Sequence, residues 1–157
     1  MAYEIERKFL IKDDSWKTGL TEADSSFIQQ AYLSVYPEPT VRVRIKDSQA
    51  FLTLKGKSMG ITRSEYEYKI PVEDALELIK LAVSSVIIKR RYEIKYQDKL
   101  WELDEFFGEN EGLLIAEIEL EKENEKFDCP EWVGEDVSLD SRYTNSFLAA
   151  NPFNSWE

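Results

Sequence analysis

Apolar and polar residues alternate with a period of two along most of this chain, the pattern of strands that bury one face. The opening stretch "YEIERKFLIK" sets Tyr3, Ile5, Phe9 and Ile11 on one face with Arg7, and Glu4, Glu6, Lys8 and Leu10 on the other. "FIQQAYLSVYPEP" reads as a strand closed by Pro37 and Pro39, with Gln30 and Tyr32 sharing a face. In "TVRVRIK" the split is strict: Val41, Val43 and Ile45 oppose Arg42, Arg44 and Lys46. "AFLTLKGK" puts Lys55 opposite Leu52 and Leu54, and "TRSEYEYKI" puts Arg63, Glu65, Glu67 and Lys69 opposite Tyr66, Tyr68 and Ile70. "SVIIKRRYEIKY" sets Lys89, Arg91 and Glu93 against Ile88, Tyr92 and Ile94, although Ile87 and Arg90 break the split; "QDK" follows as a turn. "LWELDEFF" carries Glu102 and Asp104 opposite Trp101 and Leu103, and "GLLIAEIELE" carries Glu117, Glu119 and Glu121 opposite Ile118 and Leu120.

Two segments change period. "PVEDALELIKLAV" starts with Pro71 and the acids Glu73 and Asp74, and repeats apolar residues at helical spacing. "SLDSRYTNSFLAAN" reads as a second helix with Leu139, Tyr143 and Phe147 on one stripe. "KDDSWKTGLTEADSS" is a polar loop with room for a short helical turn, and "NPFNSWE" reads as a tail. With no linker, repeat or low-complexity stretch in 157 residues, the expectation is one domain over residues 1–150 and a tail over 151–157.

About eight strands with one charged and one apolar face suit a closed antiparallel β-barrel, so the fold class is mainly β (α+β). Apolar residues inside would make a lipocalin-like binder. Charges inside would make a tunnel, and the two helices would then coat the apolar exterior. The balance of signs on the charged faces favours the tunnel, because unpaired charge between walls is costly.

Composition narrows the chemistry. A formal charge of −11 disfavours duplex nucleic acid as a partner, although the 20 Lys and Arg are concentrated on strand faces where they create a local positive field. The apolar runs are too short and too interrupted for a membrane span, the N-terminus has no apolar signal region, and the single Cys129 cannot form an internal disulfide. These features place the protein in the cytoplasm. With no histidine, a metal site must use oxygen ligands, which favours Mg²⁺ or Mn²⁺, and a nucleophilic Cys/His pair is excluded.

The segments "EIERKFL", "RVR", "TLKG", "EYE", "KRRY", "ELD", "EIELE" and "SRYTN" occur in an order that resembles the CYTH superfamily, the triphosphate tunnel metalloenzymes, over roughly residues 1–150. The short bacterial inorganic triphosphatases look most similar. The resemblance implies an eight-stranded antiparallel tunnel in which a divalent metal acts on a triphosphate-containing small molecule. The alternatives are ATP cyclisation by a class IV-type adenylate cyclase and non-enzymatic polyphosphate binding. It also suggests that Tyr32 positions or activates water together with Lys8. Oligomeric state is left open between monomer and homodimer.

The residue types agree with that chemistry. A triphosphate needs cations on several walls, and Lys8, Arg42, Arg44, Lys55, Lys89 and Arg91 are placed to supply them, with Arg142 expected at the tunnel mouth. Glu4 and Glu6, two residues apart on one strand face, form a partial metal shell with Glu119, and Glu117 joins the same face. Glu65, Glu67, Glu102 and Asp104 either position water or a second metal, or orient the cations. Arg7 falls on the apolar face and reads as structural.

Overall fold

The structure, a computed structural model, describes residues 3–35 and 39–156. Pro37, expected to help close the second strand, lies outside the described residues, as does Glu157 of the expected tail. The strands are β1 Tyr3–Ile11, β2 Ser25–Ser34, β3 Thr40–Lys46, β4 Gln49–Lys55, β5 Thr62–Ile70, β6 Ile87–Tyr96, β7 Lys99–Phe106, β8 Leu114–Glu119 and β9 Val133–Asp136, with helices α1 Val72–Ile79 and α2 Asn145–Ala150. All pairings between named strands are antiparallel, in the order β5-β4-β3-β2-β6-β7-β8-β1-β9, and a β5–β1 pairing closes the first eight into a barrel.

Closure decides which face is inside. Along β3 the odd residues Val43 and Ile45 pack outward beneath α1, against Ala50 and Ala75, while Arg42, Arg44 and Lys46 point into the lumen. Outside β1, β6, β7 and β8 lies a larger apolar layer, including Phe9, Trp101, Leu103, Ala116 and Ile118, covered by Trp132, Val133 and Trp16 of the 3₁₀ turn Asp14–Lys17. The charged faces therefore line a tunnel, and the apolar faces carry the coat.

Local chemistry sets the connections. The β6–β7 hairpin turns on Gln97 and Asp98, both at positive φ (51° and 62°), the left-handed geometry that matches strand twist in two-residue loops. The helix after β5 starts at Val72, with Glu73 and Asp74 in its first turn, but stops at Ile79, so Leu81 and Val83 are exposed rather than helical. Strand β9 was not expected. It is four residues long and lacks a useful alternation, yet it docks on the edge of β1 that β5 leaves free beyond Ile5. Gly134 permits that approach: a Cβ there would stand 3.0 Å from the Leu10 carbonyl.

The second expected helix is broken. A 3₁₀ turn at Ser141–Tyr143 precedes Thr144, whose hydroxyl accepts from Phe147 N–H and caps α2. Leu139 lies outside both elements, 77% exposed, so it is not part of the expected apolar stripe. Leu148 and Ala149 instead enter one end of the barrel and pack on Tyr32, Ile87, Phe106 and Ile115. This accounts for Ile87: it sits on the lumen face at the level where that face turns apolar. Phe153 and Trp156 pack against the same cluster, and Trp156 makes edge contacts with Tyr143, Phe147 and Phe153.

Candidate active site

The lumen forms a cavity of about 350 Å³ lined by side chains from all eight barrel strands and by Ser138, Thr144, Asn145 and Ser146 near its plugged end. Strand pleating puts Glu4, Glu6 and Lys8 of β1 into it at two-residue intervals, beside Glu117 and Glu119 of β8. Tyr32, Arg42, Arg44, Lys55, Glu65, Glu67, Lys89, Arg91 and Glu102 also line it. Two residues expected at the site do not. Asp104 is on the lumen face of β7 but 0% exposed, covered by Arg91 and Lys89 so that it does not reach the cavity surface, and Arg142 faces outward, paired with Asp140 and stacked over Tyr143 and Trp156. Arg7 is on the exterior, ion-paired with Asp136 and stacked over Phe9 and Phe127.

Part of the lumen charge is neutralised by the protein itself. Arg91 grips Asp104 through Nε and Nη2 at 2.7 and 2.9 Å and reaches Glu102 at 3.3 Å. Lys89 lies 2.8 Å from the same Asp104 and donates to Asn145 Oδ1 at 2.9 Å. Burial drives the Lys89 ammonium down to about 7 against the pull of Asp104, with Arg91 and Arg44 adding repulsion. Lys55 bridges Glu4 and Glu65 at 3.0 and 3.2 Å. Burial would raise Glu4, but Lys55, the hydrogen bond with Glu65 and Arg42 together outweigh it and lower the carboxyl to about 2, whereas burial and the hydrogen bond with Glu4 push Glu65 up to about 7. Lys8 stands 3.7 Å from Glu117 and donates to the Tyr143 carbonyl at 3.2 Å.

Two regions remain uncompensated. Glu6 and Glu119 face each other directly across β1 and β8, a like-charge pairing that destabilises a sheet unless a cation intervenes. Burial, then Glu117 and Glu4, raises the Glu6 carboxyl well above its ordinary range; burial, then Glu4 and Glu102, raises Glu119. The opposite surplus lies on β3. Arg44 has no carboxylate partner among the described residues, and burial followed by repulsion from Arg42 and Arg91 lowers it to about 9. Arg42 is 3.4 Å from Glu67, but its buried Nε has no hydrogen-bond partner.

The CYTH domain model matches residues 2–146. The chain belongs to the CYTH domain family. An inorganic triphosphatase of Acetivibrio thermocellus is 44% identical, spanning 100% of this chain and 99% of that protein. An inorganic triphosphatase of Nitrosomonas europaea is 35% identical over 93% of this chain and 96% of its own length. A crystal structure of an inorganic triphosphatase, 34% identical, superposes over 95% of each chain with a TM-score of 0.66.

This CYTH domain also brings to the site residues that the sequence patterns did not single out. Arg63 shares the lumen face of Glu65, and its guanidinium donates to the Gly56 carbonyl at 2.6 Å and to Thr40 Oγ1 at 2.8 Å. Strand parity puts it on that charged face, although the pattern did not mark it as a site residue. Asn145 could not be found that way, because a helix N-terminus carries it to the lumen from outside the barrel wall.

Proposed function

We propose that the protein hydrolyses inorganic triphosphate to pyrophosphate and phosphate with Mg²⁺ or Mn²⁺ as cofactor. The observation that carries this reading is the split lumen: Arg44, with no carboxylate partner among the described residues, beside Arg42 with its unpartnered Nε, and the facing carboxylates Glu6 and Glu119 share one cavity. A polyanion bearing a divalent cation satisfies both. The names of the two curated relatives support the same activity.

The donor set fits a hard cation, since it offers only carboxylate oxygens, with Glu4, Glu6, Glu117 and Glu119 adjacent on β1 and β8. Among the described residues no group of three or more carboxylates is arranged to hold a metal ion by itself, so an ion beside these glutamates would take its remaining ligands from phosphate oxygens and water. When bound, the ion supplies charge neutralisation to the phosphate oxygens. Arg42 and Arg44 grip the phosphates, assisted by Lys55, Lys89 and Arg91. Asp104 orients Arg91 and Lys89 rather than holds metal, because both its oxygens are already engaged, while Glu102 lines the lumen 3.3 Å from Arg91 and either steadies that guanidinium or joins the metal shell. Glu67, which accepts from Thr53 Oγ1 at 2.8 Å, and Glu65 lie where they can position water. Lys8 and Tyr32 act near the plugged end, where the Tyr32 hydroxyl accepts from Gln30 at 3.3 Å. Water adds to a terminal phosphorus, the bridging P–O bond breaks, and pyrophosphate leaves; catalysis is mostly positioning and electrostatic stabilisation.

The protein works in the cytoplasm as a monomer or homodimer in this reading. Among the described residues no helix is long and apolar enough to cross a membrane. Turnover of inorganic triphosphate, ATP and thiamine triphosphate, with and without a chelator, tests the activity, with products identified by phosphorus NMR. The expected result is metal-dependent release of pyrophosphate and phosphate, with the highest kcat/KM on inorganic triphosphate. Cyclic AMP and pyrophosphate from ATP, with inorganic triphosphate intact, would replace the hydrolase by an adenylate cyclase.

A further inference from the structure

We infer that Gln30 is a positioning residue that aims Arg44 at the substrate while leaving its charge uncancelled. The inference rests on the triphosphatase reading and deepens it. Gln30 is 0% exposed and sits opposite Arg44 in the β2–β3 register. Arg44 Nε donates to Gln30 Oε1 at 2.8 Å, and Gln30 Nε2 donates to Asn145 Oδ1 at 2.9 Å, the oxygen that also accepts from Lys89 Nζ at 2.9 Å.

The orientation of both amides is forced. Arg44 Nε and the Lys89 ammonium only donate, so each must meet an amide oxygen, and the Gln30 NH₂ is left to bridge to Asn145. The half-buried Arg44 and the buried Lys89, itself paired with Asp104, are thus joined through two neutral amides. Elsewhere in the lumen the protein uses the opposite device: Arg91 Nε rests on the carboxylate of Asp104. A carboxylate satisfies the donor and cancels the charge. An amide satisfies the donor and cancels nothing, so Arg44 keeps its full attraction for phosphate. Nε is also the only Arg44 atom with a hydrogen bond among the described residues, which fixes the fork by its inner edge and leaves both Nη groups for phosphate oxygens. Burial, then repulsion from Arg42 and Arg91, lowers the affinity of Arg44 for its proton, and no carboxylate lies in ion-pair contact to offset it among the described residues.

The test compares Gln30→Glu and Gln30→Met with wild type, each also in an Arg44→Ala background, using steady-state hydrolysis of inorganic triphosphate and thermal melting without ligand. Gln30→Glu is expected to raise KM by about tenfold or more and to change kcat by less than about threefold, because a charge-assisted hydrogen bond to substrate is weakened. Its melting temperature should hold or rise, since Arg44 gains a counter-charge. Gln30→Met should raise KM as well, but lower the melting temperature, because Arg44 Nε loses its acceptor. Neither should raise KM further once Arg44 is absent. An unchanged KM in either folded variant overturns the inference, and so does an equal rise with and without Arg44. A wild-type protein that neither binds nor cleaves triphosphate overturns the function and the inference together; wild-type turnover with insensitive variants overturns the inference alone.

Discussion

Replacing Asp104 by asparagine tests the wall on which the cationic side of the lumen is built. The residue is 0% exposed, and its two oxygens serve Arg91 at 2.7 and 2.9 Å and Lys89 at 2.8 Å. Burial alone would raise its carboxyl, but Arg91 and Lys89 hold it well below the ordinary aspartate value. Removing one partner of a buried charge pair costs about 3–5 kcal/mol, since the other charge is stranded. The lower end applies here. Lys89, already near 7, can shed its proton when Asp104 is neutral, and Arg91 still reaches Glu102. A loss of about 3 kcal/mol corresponds to a fall in melting temperature of about 6–12 °C for a domain of this size. The assay is calorimetric melting at pH 7, with and without inorganic triphosphate; the ligand should stabilise the variant more than wild type, because phosphate supplies the missing anion. The acid limb provides a second readout. A depressed carboxyl contributes stability that is complete above its ordinary value of 3.8 and is lost as pH falls through its folded value, so the variant should lose less stability than wild type on acidification below that point. An Asp104→Asn protein melting within about 2 °C of wild type at pH 7 would refute the reasoning.

Glu6→Gln should preserve the fold, and melt no lower than wild type, while abolishing most metal-dependent hydrolysis; full activity at limiting metal would remove Glu6 from the site. Glu65→Gln should stabilise the protein above pH 7 and lose that advantage near pH 4.5. A carboxyl raised to about 7 costs the wild type stability as pH climbs from 4.5 to 7, and melting curves across that window check the sign. Leu148→Ala, at a 0% exposed position among Tyr32, Ile87 and Phe106, should cost about 2–5 kcal/mol in denaturant unfolding; it should also raise KM for triphosphate, because α2 presents Asn145 to Lys89 and Gln30.

The division between charged and apolar faces was legible along the chain because strand pleating is local: residues two apart share a face whatever the rest of the fold does. That local rule places Glu4, Glu6 and Lys8 together, and Arg42 with Arg44, before any tertiary contact forms. The "QDK" turn was legible for the same reason. What alternation cannot state is which face is inside, since that depends on closure between Tyr3–Ile5 of β1 and Thr62–Ser64 of β5, nearly 60 residues apart along the chain. Ile87 shows the difference: it breaks the polar pattern locally, yet its parity is correct once α2 is seen to plug that end with Leu148.

Only the tertiary structure separated the charges into those already paired and those left for a ligand. Asp104 and Glu119 look equivalent as acids on strand faces, but packing gives one two buried cations and leaves the other opposite Glu6. Arg142 carries the same charge as Arg44, and the broken C-terminal helix turns it outward onto Tyr143 and Trp156. Gln30 was visible on the face of Tyr32, but its bridge to Asn145 joins residues 115 positions apart, a separation at which no local period carries information. The alphabet and spacing of the site were local properties of the sequence; the allocation of its charges is a property of the closed barrel, because a charge is free or cancelled only relative to neighbours that folding brings into range.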